Sequence, residues 1–130
     1  MVYTMYKKGG NVVDLRGTFA SDDNWSYMFR SVKPQYYPIP VDGPVGDLLK
    51  SLDRHPYRPA HVHFMVKANG YKDLVTHAFI DGDKYLESDT VFAVKKSLIR
   101  KLEEGIDEEN NSKCFYLNFD IVMESTKKGA

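Results

Sequence analysis

The sequence predicts an all-β fold, a β-sandwich built of mixed-topology sheets, with a metal site in loops and strands between them. Short segments alternate apolar with polar residues, which is the period of a half-buried strand. Clusters rich in Asp, Asn, Gly and Pro separate these segments, as turns do. The 130 residues include nine tyrosines and seven phenylalanines, and aromatic residues favour strands and their packed faces.

Five segments carry the strand pattern. They are residues 12–19, 25–32, 60–67, 73–80 and 113–123. The first two flank a turn cluster at residues 21–24, which predicts a hairpin. The third and fourth flank Ala68-Asn69-Gly70-Tyr71, which predicts two strands paired around a second turn.

The remaining segments are predicted to be loops or a short helix. Residues 33–46 contain four prolines and two glycines, and proline lacks the N–H donor of a central strand, so an ordered loop is expected. Residues 45–52 carry leucines at helical spacing, which predicts a short helix. Residues 91–102 fit either a strand or a helix. Residues 103–112 predict an acidic, polar loop at a solvated hairpin tip, with a binding role as the less favoured alternative.

Length and charge limit the class of function. The length fits a single domain over residues 1–130. Eighteen basic and 18 acidic residues give a formal net charge of zero, so neither a nucleic acid nor a membrane is an expected partner. Cys114 is the single cysteine, which excludes an intramolecular disulfide, and no apolar run has transmembrane length. A soluble cytoplasmic protein is therefore expected.

Two histidines form the first candidate site. His61 and His63 are two residues apart in a β-prone segment, so a strand would direct both side chains to one face. Two such imidazoles can bind one metal ion if further ligands come from elsewhere. The motif alone is weak, because histidines also occur in strands with ordinary backbone partners.

Tyr37 narrows the choice of metal. It lies beside Tyr36 in the proline-rich loop, where the backbone has little freedom. A free phenol has a pKa of about 10, so a strongly acidic cation such as ferric iron is needed to keep it deprotonated at neutral pH. Zinc, which usually takes Cys, His or carboxylate ligands, stays as the alternative metal, and core packing stays as the alternative role of Tyr37.

Several segments together resemble the intradiol ring-cleavage dioxygenases, the non-haem ferric enzymes that open catechol rings. The segments are Asp14-Leu15-Arg16-Gly17, Pro34-Gln35-Tyr36-Tyr37-Pro38-Ile39-Pro40, Asp42-Gly43-Pro44-Val45-Gly46, Arg54-His55-Pro56-Tyr57-Arg58-Pro59-Ala60-His61-Val62-His63-Phe64, Gly70-Tyr71-Lys72-Asp73-Leu74-Val75-Thr76, Gly82-Asp83-Lys84-Tyr85-Leu86 and Ser88-Asp89-Thr90-Val91-Phe92-Ala93-Val94-Lys95. The resemblance extends over residues 3–100. The long spacing between Tyr37 and His61 is similar to that of the catechol and hydroxyquinol branch.

The resemblance implies a cofactor, Fe(III), and its ligands. The family's ferric ligands fall on Tyr3, Tyr37, His61 and His63. Tyr3 corresponds to the axial tyrosine, and Tyr6 is a less favoured substitute because it lies closer to Arg16 than the family pattern requires. Arg58 matches the arginine that lies over the substrate ring and stabilises developing negative charge. A surface salt bridge is the alternative role of Arg58.

The resemblance also implies an activity. A catechol-type ring, such as catechol or hydroxyquinol, would bind the ferric ion through both oxygens and displace the axial tyrosinate, Tyr3. Insertion of O2 between the two hydroxylated carbons would then give a cis,cis-muconate-type dicarboxylate. The implied partners are therefore a small aromatic diol and O2.

The chain departs from the family pattern in two places. The family's N-terminal helical region, through which its members typically form homodimers, is not in this sequence, so the oligomeric state stays open. This departure motivates the alternative of a truncated, catalytically inactive β-sandwich binding or structural module that retains the metal motif. His77 stands where the family commonly has glutamine, and it is a candidate to orient a ligand or a proton. Its alternative role is a strand histidine with a backbone partner.

Overall fold

The structure consists of short strands, one α-helix and the turns between them. It is a computed structural model that describes the backbone of residues 2–4 and the whole of residues 15–127. The strands are β1 Val2–Thr4, β2 Gly17–Phe19, β3 Tyr37–Pro38, β4 Tyr57–Arg58, β5 His61–Val66, β6 Leu74–Ile80, β7 Ile99–Arg100, β8 Leu102–Asp107 and β9 Ser112–Leu117. The helix α1 is Pro44–Ser51, and a 3-10 turn covers Lys96–Leu98. Within the described ranges no helix is both long and apolar enough to cross a membrane.

Five of the strands form one sheet of mixed topology. Its strand order is β2-β1-β5-β6-β7. β1 runs antiparallel to β2 and to β5, whereas β6 and β7 are parallel. Two antiparallel ribbons, β3 with β4 and β8 with β9, complete the described strands. The predicted all-β class is confirmed, and α1 is the α-helix predicted for residues 45–52.

The chain divides into two compact units. The first consists of the described residues within 1–33, 62–78 and 119–130, and the second consists of residues 34–61 and 79–118. Each unit has its own buried apolar residues. The expectation of one domain over residues 1–130 stays a prediction.

Aromatic rings form the core of the first unit. Phe64 on β5 is 2% exposed, and its ring centroid lies 6.3, 6.3 and 5.0 Å from those of Tyr27, Phe29 and Phe119. Phe19 on β2 stacks on Phe29 at 4.9 Å. The Tyr27 hydroxyl donates a hydrogen bond to the Phe119 carbonyl oxygen at 2.5 Å, and burial raises the pKa of Tyr27. Tyr27 and Phe29, which take part in these contacts, belong to the segment 25–32 whose residues alternate in the sequence.

The second unit places α1 against the preceding loop. Pro44 begins the helix, where its fixed φ and missing N–H are tolerated, and Leu49 is buried on the helix. Gly46 allows a close approach, because a Cβ at this position would lie 2.0 Å from the Val41 carbonyl oxygen. Phe79, at the end of β6, is fully buried in the same unit.

Two predictions about strands are wrong. Residues 25–32 form no strand. Tyr27 and Phe29 pack on Phe64 without ladder pairing, whereas Trp25 is 75% exposed. The alternation therefore reflects the partial burial of two rings and not a strand. Residues 103–112, predicted to be the loop at a hairpin tip, do form the end of the β8–β9 hairpin, but most of them are paired in its strands. Their polar composition reflects the exposure of a two-stranded ribbon. Residues 91–102, which fitted either class, contain the 3-10 turn and β7.

We expect Phe64→Ala to lower the free energy of unfolding by about 3–5 kcal/mol, because a cavity replaces a ring that three aromatic neighbours contact. Urea denaturation followed by circular dichroism measures the change. Val75→Ala on β6 is the control, since Val75 is 63% exposed and its loss should alter stability by no more than about 0.5 kcal/mol. Equal stabilities of the two variants would contradict the assignment of Phe64 to the core.

Candidate metal centre

Strand β5 carries both of the histidines that the sequence singled out. His61, Phe64 and Val66 are its buried residues, and His63 is half-buried. Side chains alternate along a strand, so His61 and His63 leave the backbone on one face, and Phe64 and Val66 leave it on the other. The strand therefore presents an apolar face and an imidazole-bearing face, as the spacing of the two histidines predicted.

The hydrogen bonds of His61 define its tautomer. Its Nδ1 atom lies 2.7 Å from the Pro59 carbonyl oxygen, and its Nε2 atom lies 3.2 Å from Arg58 Nη1. A guanidinium can only donate, so Nε2 accepts that hydrogen bond and Nδ1 carries the ring hydrogen, which it donates to Pro59. Nε2 therefore has the lone pair that a metal ion needs, while a backbone carbonyl orients the ring.

The short β3–β4 ribbon brings Tyr37 close to His61. Tyr37 pairs with Arg58 in the ribbon, and the Ile39 N–H donates to the Pro56 carbonyl oxygen at 2.9 Å just beyond it. The ring centroids of Tyr37 and His61 are 5.5 Å apart. The proline-rich loop thus places a phenol beside the buried imidazole.

His77, on β6, adds a third imidazole to the predicted pair. Its ring lies edge-on to that of His63, with centroids 4.3 Å apart and an interplanar angle of 61°. The sequence singled out His77 through its departure from the family pattern, and the structure brings it into contact with a predicted ligand.

Arg58 is buried beside a carboxylate that the sequence analysis did not single out. Arg58 is 7% exposed and Asp89 is 3% exposed, and Arg58 Nε donates to Asp89 Oδ1 at 3.3 Å. Arg58 Nη1 contacts His61, whereas the buried Nη2 atom has no hydrogen-bond partner among the described residues. The salt bridge of Arg58 is therefore buried, unlike the surface salt bridge weighed from the sequence. No pattern of spacing in the sequence predicts that Asp89 pairs with an arginine 31 positions earlier.

The backbone of Tyr3 lies on the strand next to β5. Tyr3 pairs with Thr18 of β2 and with Met65 of β5, and Met65 is two residues beyond His63. Tyr6, the substitute ligand, lies outside the described residues. The ligand role of Tyr3 stays a prediction.

The donor groups present fit a transition-metal ion with nitrogen and oxygen ligands. Imidazole suits iron, copper, nickel and zinc, and a deprotonated phenol favours a strongly acidic ion. The unpartnered Nη2 of Arg58 fits an anionic ligand beside such an ion.

A cavity of about 260 Å³ lies beside Asp89 in the second unit. Its walls include Glu87, Phe92 and Lys96, but Tyr37, Arg58 and His61 do not line it. The cavity is therefore not the place where the phenol, guanidinium and imidazole meet. The chemistry of these side chains, and not cavity size, defines the candidate site.

The fold and the candidate site define a β-rich protein in which a tyrosine ring lies beside a buried histidine. The family model described as "Dioxygenase" (Dioxygenase_C) matches residues 2–125. The chain belongs to the intradiol ring-cleavage dioxygenase family.

Two relatives illustrate the similarity in sequence. A 6-chlorohydroxyquinol 1,2-dioxygenase of Cupriavidus pinatubonensis is 47% identical over 124 residues, which cover 95% of this chain and 43% of the relative. A catechol 1,2-dioxygenase of Candida albicans is 44% identical over 117 residues, covering 88% of this chain and 39% of the relative. The chain therefore spans less than half the length of these two relatives.

Solved structures show the same relationship. A hydroxyquinol 1,2-dioxygenase from Pseudomonas putida superposes with a TM-score of 0.84 at 37% identity, covering 95% of this chain and 50% of that one. A catechol 1,2-dioxygenase from Acinetobacter radioresistens gives a TM-score of 0.88 at 28% identity, covering 98% of this chain and 46% of that one. The structural similarity thus extends over nearly the whole chain.

We expect His61 of the metal-free chain to be in the Nδ1–H tautomer, because Pro59 accepts from Nδ1 and Arg58 donates to Nε2. Long-range ¹⁵N–¹H correlation spectra distinguish the two ring nitrogens. His55 is the control with the opposite tautomer, since its Nδ1 accepts the Tyr57 N–H at 3.1 Å. An Nε2–H tautomer at His61 would contradict the hydrogen-bond assignment.

Proposed function

We propose that the protein is a non-haem Fe(III) intradiol dioxygenase that inserts O2 into a catechol-type ring and yields a cis,cis-muconate-type dicarboxylate. The observation that carries this proposal is that Tyr37 and Arg58 both lie against the buried imidazole of His61. A phenol and an imidazole are suitable iron ligands, and the arginine supplies positive charge next to them. The printed names of the relatives supply the substrate class, catechol or hydroxyquinol.

The proposed ligands of the ferric ion are Tyr3, Tyr37, His61 and His63. His61 supports this role through its Nε2 lone pair, which the Pro59 carbonyl orients. Tyr37 supports it through its position at 5.5 Å from the His61 ring. When bound, ferric iron acts as a Lewis acid that withdraws electron density from a coordinated catecholate.

The protein's own side chains supply charge and proton transfer in this proposal. A catecholate is doubly negative, and the buried guanidinium of Arg58 stabilises negative charge that develops on the ring. Its buried Nη2 atom has no hydrogen-bond partner among the described residues and is proposed to donate to a substrate oxygen, while Nε is held by Asp89. The Tyr3 phenolate oxygen is proposed to accept one of the two protons that the substrate hydroxyl groups lose.

His77 is proposed to orient the His63 ring. The edge-on contact at 4.3 Å restricts rotation of the His63 imidazole. Groups that orient a ligand commonly alter metal affinity even though they do not bind the metal themselves. The ring contact of His77 with the predicted ligand His63 supports this role.

Reconstitution with ferric iron tests the proposed function. We expect a visible phenolate-to-iron charge-transfer band and sustained O2 uptake with catechol or hydroxyquinol. Tyr37→Phe should remove most of the band and the turnover, because it removes a phenolate ligand. Tyr36→Phe is the matched control, since Tyr36 contacts the Tyr57 and Tyr85 rings and should leave the band unchanged.

Three outcomes of that experiment would overturn parts of the proposal. A colourless, iron-free chain after reconstitution would refute the ferric site. An iron-loaded, coloured chain without O2 uptake would favour the alternative, a β-sandwich binding or structural module that keeps the metal motif. A band that survives Tyr37→Phe would show that Tyr37 is not a ligand.

We expect His77→Gln to weaken iron binding about 10- to 100-fold, because the His63 ring loses its edge-on neighbour. Competition with a ferric chelator measures the affinity. His55→Gln is the matched control: His55 hydrogen-bonds to Ser88 in the second unit, whereas His63 and His77 belong to the first. Unchanged iron affinity in His77→Gln would remove the orienting role.

A further inference from the structure

Two turns of the chain share one hydrogen-bond pattern. In the first, Asp22 Oδ1 accepts the backbone N–H groups of Asn24 and Ser26 at 2.9 and 2.8 Å. The Asp22 carbonyl oxygen accepts the Trp25 N–H at 3.1 Å, and Trp25 has a positive φ of 63°. An aspartate side chain that bonds to backbone groups two and four residues later is a common way to stabilise such a turn.

Asp89 builds the second turn in the same way. Its carboxylate accepts the Val91 N–H at 3.4 Å and the Ala93 N–H at 2.9 Å. Its carbonyl oxygen accepts the Phe92 N–H at 3.0 Å, and Phe92 has a positive φ of 55°. The offsets of two, three and four residues, and the aromatic residue with positive φ, match those of the Asp22 turn.

The two aspartates differ in burial and in their further partners. Asp22 is exposed, which shows that this turn can form in full contact with water. Asp89 is 3% exposed, and its carboxylate also accepts from Arg58 Nε. A charged group is rarely buried unless it is paired, so formation of the turn alone does not account for the position of Asp89.

Backbone contacts attach the Asp89 turn to the segment that carries Arg58. The Thr90 N–H donates to the Tyr57 carbonyl oxygen at 3.2 Å, one residue before Arg58. Arg54 Nη2 donates to the Asp89 carbonyl oxygen at 3.3 Å, and its guanidinium carbon lies 4.0 Å from the centre of the Phe92 ring. The turn therefore holds the Asp89 carboxylate at a fixed place relative to Arg58.

We propose that Asp89 is a positioning residue for the proposed ring cleavage: it holds the Arg58 guanidinium in the orientation that leaves Nη2 as the donor for an anionic substrate oxygen. The inference rests on the proposed function. In the metal-free chain, Asp89 accepts from Nε and His61 accepts from Nη1. A metal ion on His61 Nε2 would take the lone pair that accepts from Nη1, and Asp89 would then be the side chain that fixes the guanidinium. The carboxylate also balances the buried charge of Arg58 before an anionic substrate arrives.

The first measurement of this inference does not depend on activity. In arginine Nε–H correlation spectra of the metal-free full chain, which lacks paramagnetic broadening, we expect the Arg58 signal to exchange slowly with water. Arg58→Lys assigns that signal by removing it. Asp89→Asn should increase its exchange rate at least tenfold, whereas Asp22→Asn, which alters the matching turn, should leave it unchanged. Fast exchange of Arg58 Nε–H in the unaltered chain would overturn the inference.

The second measurement is steady-state kinetics of the iron-loaded variants. Asp89→Asn should lower kcat and kcat/KM together by at least about tenfold, because a misplaced guanidinium loses contacts made in the transition state. The charge-transfer band should persist, since Asp89 does not bind the metal in this proposal. Asp22→Asn should keep both constants within about twofold.

The outcomes separate this inference from the proposed function. If the unaltered chain has no turnover, the proposed function fails, and the exchange measurement still decides whether Asp89 holds Arg58. If the unaltered chain turns over and Asp89→Asn has the same kcat and KM, the positioning role fails alone. Loss of the charge-transfer band in Asp89→Asn would also overturn it, because the effect would then lie in the metal site.

Discussion

The buried charge of Arg58 constrains the arrangement of the candidate site. A guanidinium that is almost removed from water is stable in a folded protein when its charge and its donors have partners. The Asp89 carboxylate supplies the compensating negative charge and accepts a hydrogen bond from Nε, and the His61 ring accepts a hydrogen bond from Nη1. Through these two contacts, Arg58 connects the Asp89 turn, the β3–β4 ribbon and the beginning of β5.

The same contacts prepare His61 for a role as a ligand. Because Arg58 can only donate, the Nε2 atom of His61 is its acceptor, and the ring hydrogen resides on Nδ1, next to the Pro59 carbonyl. A metal ion bound to His61 Nε2 would take the lone pair that now accepts a hydrogen bond from Arg58 Nη1. Nη1 could then donate to another acceptor. In the proposed enzyme, the Arg58 side chain therefore couples the orientation of the His61 ring to the stabilisation of negative charge on the substrate.

Much of the site could be predicted because it depends on local rules. The common face of His61 and His63 follows from the period of two along a strand. Tyr37 was identified from its proline-rich loop and family motif, and the ring contact with His61 agrees with that choice. Asp89 was not identified, because its pairing with Arg58 joins segments 31 residues apart and has no periodic signal. The strand predicted for residues 25–32 is wrong for a related reason. Alternation indicates which side chains are buried, and it does not show whether the backbone is paired with another strand.

The sequence by itself determined the all-β class, the short helix after the proline-rich loop, the family and the histidine and tyrosine residues of the candidate metal site. These properties depend on hydrophobic period, on proline and turn chemistry, and on motifs within short segments. The tertiary structure alone decided the tautomer of His61, the contact between His63 and His77, and the choice of Asp89 as the partner of Arg58. Each of these depends on the distance and direction between atoms of separate segments, which become defined when the chain packs and buried polar groups must find partners.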